Sequence, residues 1–229
     1  MLGGPRWLAL EVKYLDRARS FYETFLGLEP VRETDTEVAF AAGETDLILR
    51  RPSTVPRGGL HTHYALATPF EAYDGWVDRL SERFDLVEEQ FGSAKSLYFY
   101  DTEGNCVEIG QREGEGDGIT GLFEVVLEVT DLDRAESFYR ALGLDVMGRG
   151  DERRRVRLTA GAFDLELWEP QLGLADGRGG VHVDLGVTAD DPAAAADAVA
   201  EDARSVTTLA EGVRVTDRDG HCLTFVSPE

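Results

Sequence analysis

Hydrophobic and polar positions along the chain alternate first with the period of a strand and then with that of a helix. Trp7–Val12 alternates as a strand, and Ala18, Phe21, Tyr22 and Phe25 recur at helical spacing. Asp16 is a suitable N-cap for that helix and Gly27 a suitable stop. Three short strands are predicted next, around Pro30–Glu33, Glu37–Ala41 and Asp46–Arg50. After the Pro- and Gly-bearing connector PSTVPRGG the order recurs. A strand is predicted near His61–Ala67 and a helix near Phe70–Phe84. Strands near Leu86–Phe91, Ala94–Tyr100 and Asn105–Ile109 complete the second unit.

The second half of the chain repeats the first. RWLALEVKYLDRARSFYETFLGL, from Arg6, matches LFEVVLEVTDLDRAESFYRALGL, from Leu122, with Tyr22 aligned to Tyr139. AGETDLILRRP matches AGAFDLELWEP, and DTEGNCVEI matches DRDGHCLTF, at nearly the same offset. Three separate blocks in step mark a tandem duplication, joined by the Gly-rich acidic stretch GQREGEGDGITG. The expected halves are residues 1–112 (modules 1–52 and 58–112) and 119–229 (modules 119–171 and 178–229).

Composition narrows the class. Apolar residues make up 42% and charged residues 29% of 229, enough apolar content for a packed core. Acidic residues number 44 against 23 basic, a net charge of -21 that repels nucleic-acid phosphates and anionic lipid. Neither nucleic acid nor membrane is therefore an expected partner; a small molecule is, with the protein a monomer or homodimer. Lysine occurs only as Lys13 and Lys95, and this acid-rich, lysine-poor balance is expected of a protein adapted to high salt. No signal sequence or membrane-length apolar run is evident, and Cys106 and Cys222 make no disulfide framework, so a cytoplasmic location is expected. Neither a phosphate-binding loop, a dinucleotide fingerprint nor a Ser-His-Asp order is present.

The helix pattern DLxRAxxFYxxxLGL followed by DxxGN resembles the vicinal oxygen chelate superfamily, which includes glyoxalases, bleomycin resistance proteins and extradiol dioxygenases. The resemblance covers essentially the whole chain. It implies an α+β fold of four βαβββ modules in two tandem halves, pairing into two cup-shaped half-barrels. It also implies a divalent ion held by the first and fourth strands of two paired modules. Those positions fall on Trp7 and Ile48, then His63 and Glu108, then Glu124 and Glu166, then His182 and Thr224. His61 lies on the same strand face as His63 and is its alternate.

Pairing decides the chemistry. If module two pairs with three and one with four, one cup collects His63, Glu108, Glu124 and Glu166, while the other has no metal site. This crossed pairing is favoured because it sorts the residues so cleanly. If neighbours pair instead, His182 with Glu124 and Glu166 is the set that an extradiol dioxygenase with Fe(II) would use. The crossed set suits Zn, Ni, Co or Mn. By resemblance to glyoxalase I, Glu108 and Glu124 are the catalytic carboxylates. Glutathione is an unexpected cofactor, because Glu128 stands where an Arg often grips its carboxylate. The leading expectation is a metal-dependent lyase or isomerase on a small oxygen-bearing substrate; a dioxygenase and a metal-free binding protein are the alternatives.

Overall fold

The computed structural model describes residues 2–52, 61–150, 154–170 and 183–228. Module one contains β1 (Leu2–Glu11), α1 (Leu15–Leu26), β2 (Pro30–Glu33), β3 (Glu37–Ala42) and β4 (Thr45–Arg50). Module two contains β5 (His61–Pro69), α2 (Tyr73–Ser81), β6 (Val87–Phe91), β7 (Ala94–Tyr100) and β8 (Cys106–Arg112). In module three these become β9 (Gly121–Glu128), α3 (Leu132–Ala141), β10 (Asp145–Arg149), β11 (Arg155–Thr159) and β12 (Asp164–Trp168). Module four has β13 (Val183–Ala189), α4 (Pro192–Asp197), β14 (Ser205–Leu209), β15 (Gly212–Thr216) and β16 (Cys222–Val226). The four βαβββ modules expected from the sequence are present.

They pair crosswise. One eight-stranded sheet runs β14-β15-β16-β13-β1-β4-β3-β2, and the other runs β10-β11-β12-β9-β5-β8-β7-β6. Each sheet thus joins one module from each half, through β1 with β13 and β5 with β9, both antiparallel. Alternation then gives every central strand two faces. Tyr64, Leu66, Val107, Ile109, Val125 and Leu167 enter the main core. Their neighbours His63, Glu108, Glu124 and Glu166 lie on the opposite, concave face.

The helices lie between the sheets. Phe21 of α1 meets Phe84 and Phe99 of module two, while Tyr22 stacks on Phe40 of the other sheet. Tyr22 Oη donates to Asp101 Oδ2 at 2.8 Å, and in the second half Tyr139 Oη donates to Asp217 Oδ2 at 2.9 Å. These two bonds link the sheets, since each Tyr belongs to a module of one sheet and each Asp to a turn of the other. The recurring DxxG turn supplies the carboxylate: Asp101 Oδ1 accepts the amides of Glu103 and Asn105, with Gly104 at φ 82° closing the turn.

Two local expectations need correction. Asp16 does not cap α1; the N-cap is Tyr14, with no side-chain bond, and Asp16 lies in the first turn. Glu103 Oε2 accepts the amide of Lys13, just before the N-cap, at 2.7 Å. In α3 the residue aligned with Tyr14 is Asp131, and it does cap, accepting the Arg134 amide. The second helix is also shorter than its apolar pattern suggested: a 3-10 turn, Phe70–Ala72, precedes Tyr73–Ser81.

Candidate metal centre

Three strands meet at the middle of the β5–β9 sheet. Across the parallel pair β5–β8, Ala65 faces Glu108; across the antiparallel pair β5–β9, Ala65 also faces Glu124. Directly paired residues share a face, so Glu108 and Glu124 flank the small Ala65, and His63 is one same-face step away. His63, Glu108 and Glu124 are all buried, and one ligand atom from each lies within 4.8 Å of the others. His63 Nε2 is 3.2 Å from Glu108 Oε2. Glu108 Oε2 and Glu124 Oε1 are both buried, and the ionic neighbour of Glu124 Oε1 is Arg157 Nη2, also at 3.2 Å. Two buried carboxylates beside an imidazole fit a cation, because buried negative charge is costly and one shared guanidinium does not balance both.

The surroundings separate the two carboxylates. Burial raises the Glu108 pKa, but His63, Ser96 and Tyr98 hydrogen-bond its charged form and carry the net shift below the usual value. Glu124 goes the other way, raised by burial and then by the charge of Glu108, with Arg157 and His63 opposing. Paired carboxylates with diverging pKa values are an acid–base arrangement.

The remaining expected residues are placed as follows. Glu166 is buried on the same face, but its carboxylate holds Arg155 and it is outside the three-residue cluster. His61 pairs with Leu127 across an irregularity that separates its register from that of His63. His182 lies outside the described residues, and the strand after it, β13, belongs to the other sheet.

Strand register also changes the correspondence between the cups. Gly186 faces Trp7 and Thr224, just as Ala65 faces Glu124 and Glu108. Two residues back, the counterpart of His63 is therefore Asp184, not His182. Module two carries an extra 3-10 turn, Phe70–Ala72, between strand and helix, so equal spacing from the helices does not mark equal positions on β5 and β13. In that cup Asp184 Oδ1 accepts Thr224 Oγ1 at 2.8 Å and Asp184 Oδ2 accepts Arg214 Nη2 at 2.8 Å. Arg50 Nη1 lies 3.6 Å from the same Oδ2. Trp7 fills the rest, its ring so close that a Cβ on Gly186 would lie 2.2 Å from it.

Several site residues were not singled out in the sequence. Arg155 and Arg157 alternate with apolar Val156 and Leu158 on β11, which marks a polar face without showing its reach. Arg157 Nη2 approaches Glu124 Oε1 at 3.2 Å and Asp164 Oδ2 at 2.7 Å. Trp168 and Tyr98 set their rings edge-on to His63.

This architecture and buried His–Glu–Glu cluster are those of a vicinal oxygen chelate protein. Residues 4–109 match the Glyoxalase/Bleomycin resistance protein/Dioxygenase superfamily, and the second half of the chain repeats the same module order. Over 116 residues it is 25% identical to the metallothiol transferase FosB of Staphylococcus haemolyticus, covering 48% of this chain and 84% of that protein. Its fold is similar to a Bacillus subtilis protein described as a proposed dioxygenase, with a TM-score of 0.76 and 19% identity over 98% of this chain and 84% of that one. Glyoxalase I from Zea mays is similar too, with a TM-score of 0.69 and 20% identity over 98% of this chain and 92% of that one. Among the described residues no helix is long and apolar enough to cross a membrane.

Proposed function

We propose that this chain is a divalent-metal-dependent lyase or isomerase of glyoxalase type, acting on a small oxygen-bearing substrate in the cup between modules two and three. The observation that carries this reading is the meeting of three buried ligand atoms, from one His and two Glu, on three strands. His63, Glu108 and Glu124 would hold the ion, and Glu166 would join them only by giving up Arg155. One imidazole with two carboxylates suits Zn, Mn, Co or Ni, whereas non-haem iron oxygenases use two His and one carboxylate. The name of the Staphylococcus relative, a metallothiol transferase, also points toward metal-dependent chemistry.

A bound dication would supply Lewis-acid stabilisation to a substrate oxygen gaining negative charge. Glu108, kept ionised by His63, Ser96 and Tyr98, takes the proton from the substrate carbon next to that oxygen. Glu124, across Ala65 from Glu108, stands where it can return one. Trp168, Val126 and Tyr98 are buried beside these groups and limit water. The test is turnover of thiol adducts of 2-oxoaldehydes by protein loaded in turn with Zn, Ni, Co and Mn. Metal-dependent isomerisation that Glu108→Gln abolishes supports the reading. Iron-dependent oxygen uptake with a catechol, or ligand capture by metal-free protein without turnover, would overturn it.

A further inference from the structure

The cup holds a cation that the metal site does not use. Arg112 ends β8 on the Glu108 face, four residues beyond that ligand, and its guanidinium carbon lies 3.5 Å above the Phe123 ring centre. Phe123 stands in the β5–β9 irregularity beside Glu124, and its ring presses on Gly110, midway between Glu108 and Arg112. A Cβ at Gly110 would come 2.8 Å from that ring, so the missing side chain makes the seat. Arg112 is thus folded over an aromatic platform next to the cluster, with one N–H donated to the Gln111 carbonyl. Its pKa is lowered by burial, with Glu108, Glu124, Arg157 and Asp164 all near enough to act on it.

Charges in the cup pair off. Arg155 answers Glu166, and Arg157 answers Asp164 while also lying 3.2 Å from Glu124. A dication would answer Glu108 and Glu124. Among the described residues no carboxylate is within ion-pair distance of Arg112, and Glu128 stands at the far end of β9. Arg112 would then be the uncompensated charge of the loaded cup, with Arg157 beside it.

We propose that Arg112, supported by Arg157, is the anchor for an anionic oxygen group, carboxylate or phosphoryl, on the substrate, which places the substrate among small oxyanions rather than neutral diols or catechols. This rests on the metal reading above. A planar guanidinium offers paired N–H donors to such a group, and stacking on Phe123 holds that fork in place.

The experiment uses cobalt-loaded protein, read by its visible d–d bands and by calorimetry, titrated with lactate, methylphosphonate and propane-1,2-diol. Both anions should bind more tightly than the diol. Arg112→Ala should weaken the anions by about tenfold or more while leaving the diol and the cobalt content unchanged, and Arg112→Lys should fall between. The anion whose affinity depends more on Arg112 identifies the group as carboxylate or phosphoryl. Lactate and methylphosphonate binding to Arg112→Ala as well as to the wild type, with cobalt in place, would overturn the anchor alone. Failure to take up cobalt or any other dication would overturn the metal reading and the anchor with it.

Discussion

The two cups are built on one plan and balance their charges differently. In the β5–β9 cup, the matching positions hold His63, Glu108, Glu124 and Glu166; in the β1–β13 cup, they hold Asp184, Thr224, Trp7 and Ile48. The second cup carries its own cations: Arg214 binds both Asp184 and Thr224, and Arg50 approaches Asp184 while binding Glu37. Asp184 thus has both oxygens hydrogen-bonded, whereas among the described residues no guanidinium is within ion-pair distance of Glu108. Guanidinium groups close one cup; in the other, two buried carboxylates face each other across Ala65, with one guanidinium, Arg157, at Glu124 and the His63 ring at Glu108. The difference teaches that a duplicated fold can retire a site by supplying the cation from a side chain.

The largest effect should come from removing a ligand. His63→Ala and Glu108→Gln should each weaken metal binding more than about 100-fold and abolish turnover, while Asp184→Ala should leave metal affinity unchanged; competitive chelator titration measures this. Loss of metal in Asp184→Ala instead would make the cups equivalent. The next effect is on stability. Asp184→Ala strips Arg214 and Thr224 of their shared acceptor, and denaturant unfolding should show a loss of about 2–4 kcal/mol, the lower part reflecting the partly exposed guanidinium. Gly186→Ala drives a methyl into the Trp7 ring and should cost about 1–3 kcal/mol.

The smallest effect is a pH dependence. In metal-free protein Glu124 has its pKa raised above the unfolded value by burial and by Glu108. Its ionisation therefore opposes folding once the pH exceeds that unfolded value, about 4.3. Glu124→Gln should stabilise the metal-free protein at neutral pH, and the gain should fade as the pH drops toward about 4. Melting curves across that window check it. A gain that grew on acidification would reverse the assigned direction.

Much of this comparison was legible before the structure. The DLxRAxxFY helices, the DxxG turns and the alternating strands place four modules, and the fall of His63, Glu108, Glu124 and Glu166 on matching strand positions favoured the crossed pairing, although Glu166 is held by Arg155. Legibility ended where register depends on connector length. The 3-10 turn at Phe70–Ala72 shifts β5 by one residue pair relative to its helix, so His182 was aligned with His63 and Asp184 was overlooked. Long side chains were the other limit. Alternation puts Arg155 and Arg157 on a polar face, but only the folded register shows that they reach Glu166, Asp164 and Glu124. The Asp16 cap failed because the helix begins two residues earlier than its apolar spacing suggested, with Tyr14 as N-cap.

Anomalous diffraction at the cobalt edge, from crystals of the cobalt-loaded protein, tests the central claim most directly. The account requires a single strong peak among His63, Glu108 and Glu124 and none beside Asp184. A peak in the Asp184 cup, or none at either place in protein shown to be exposed to excess cobalt, would contradict it.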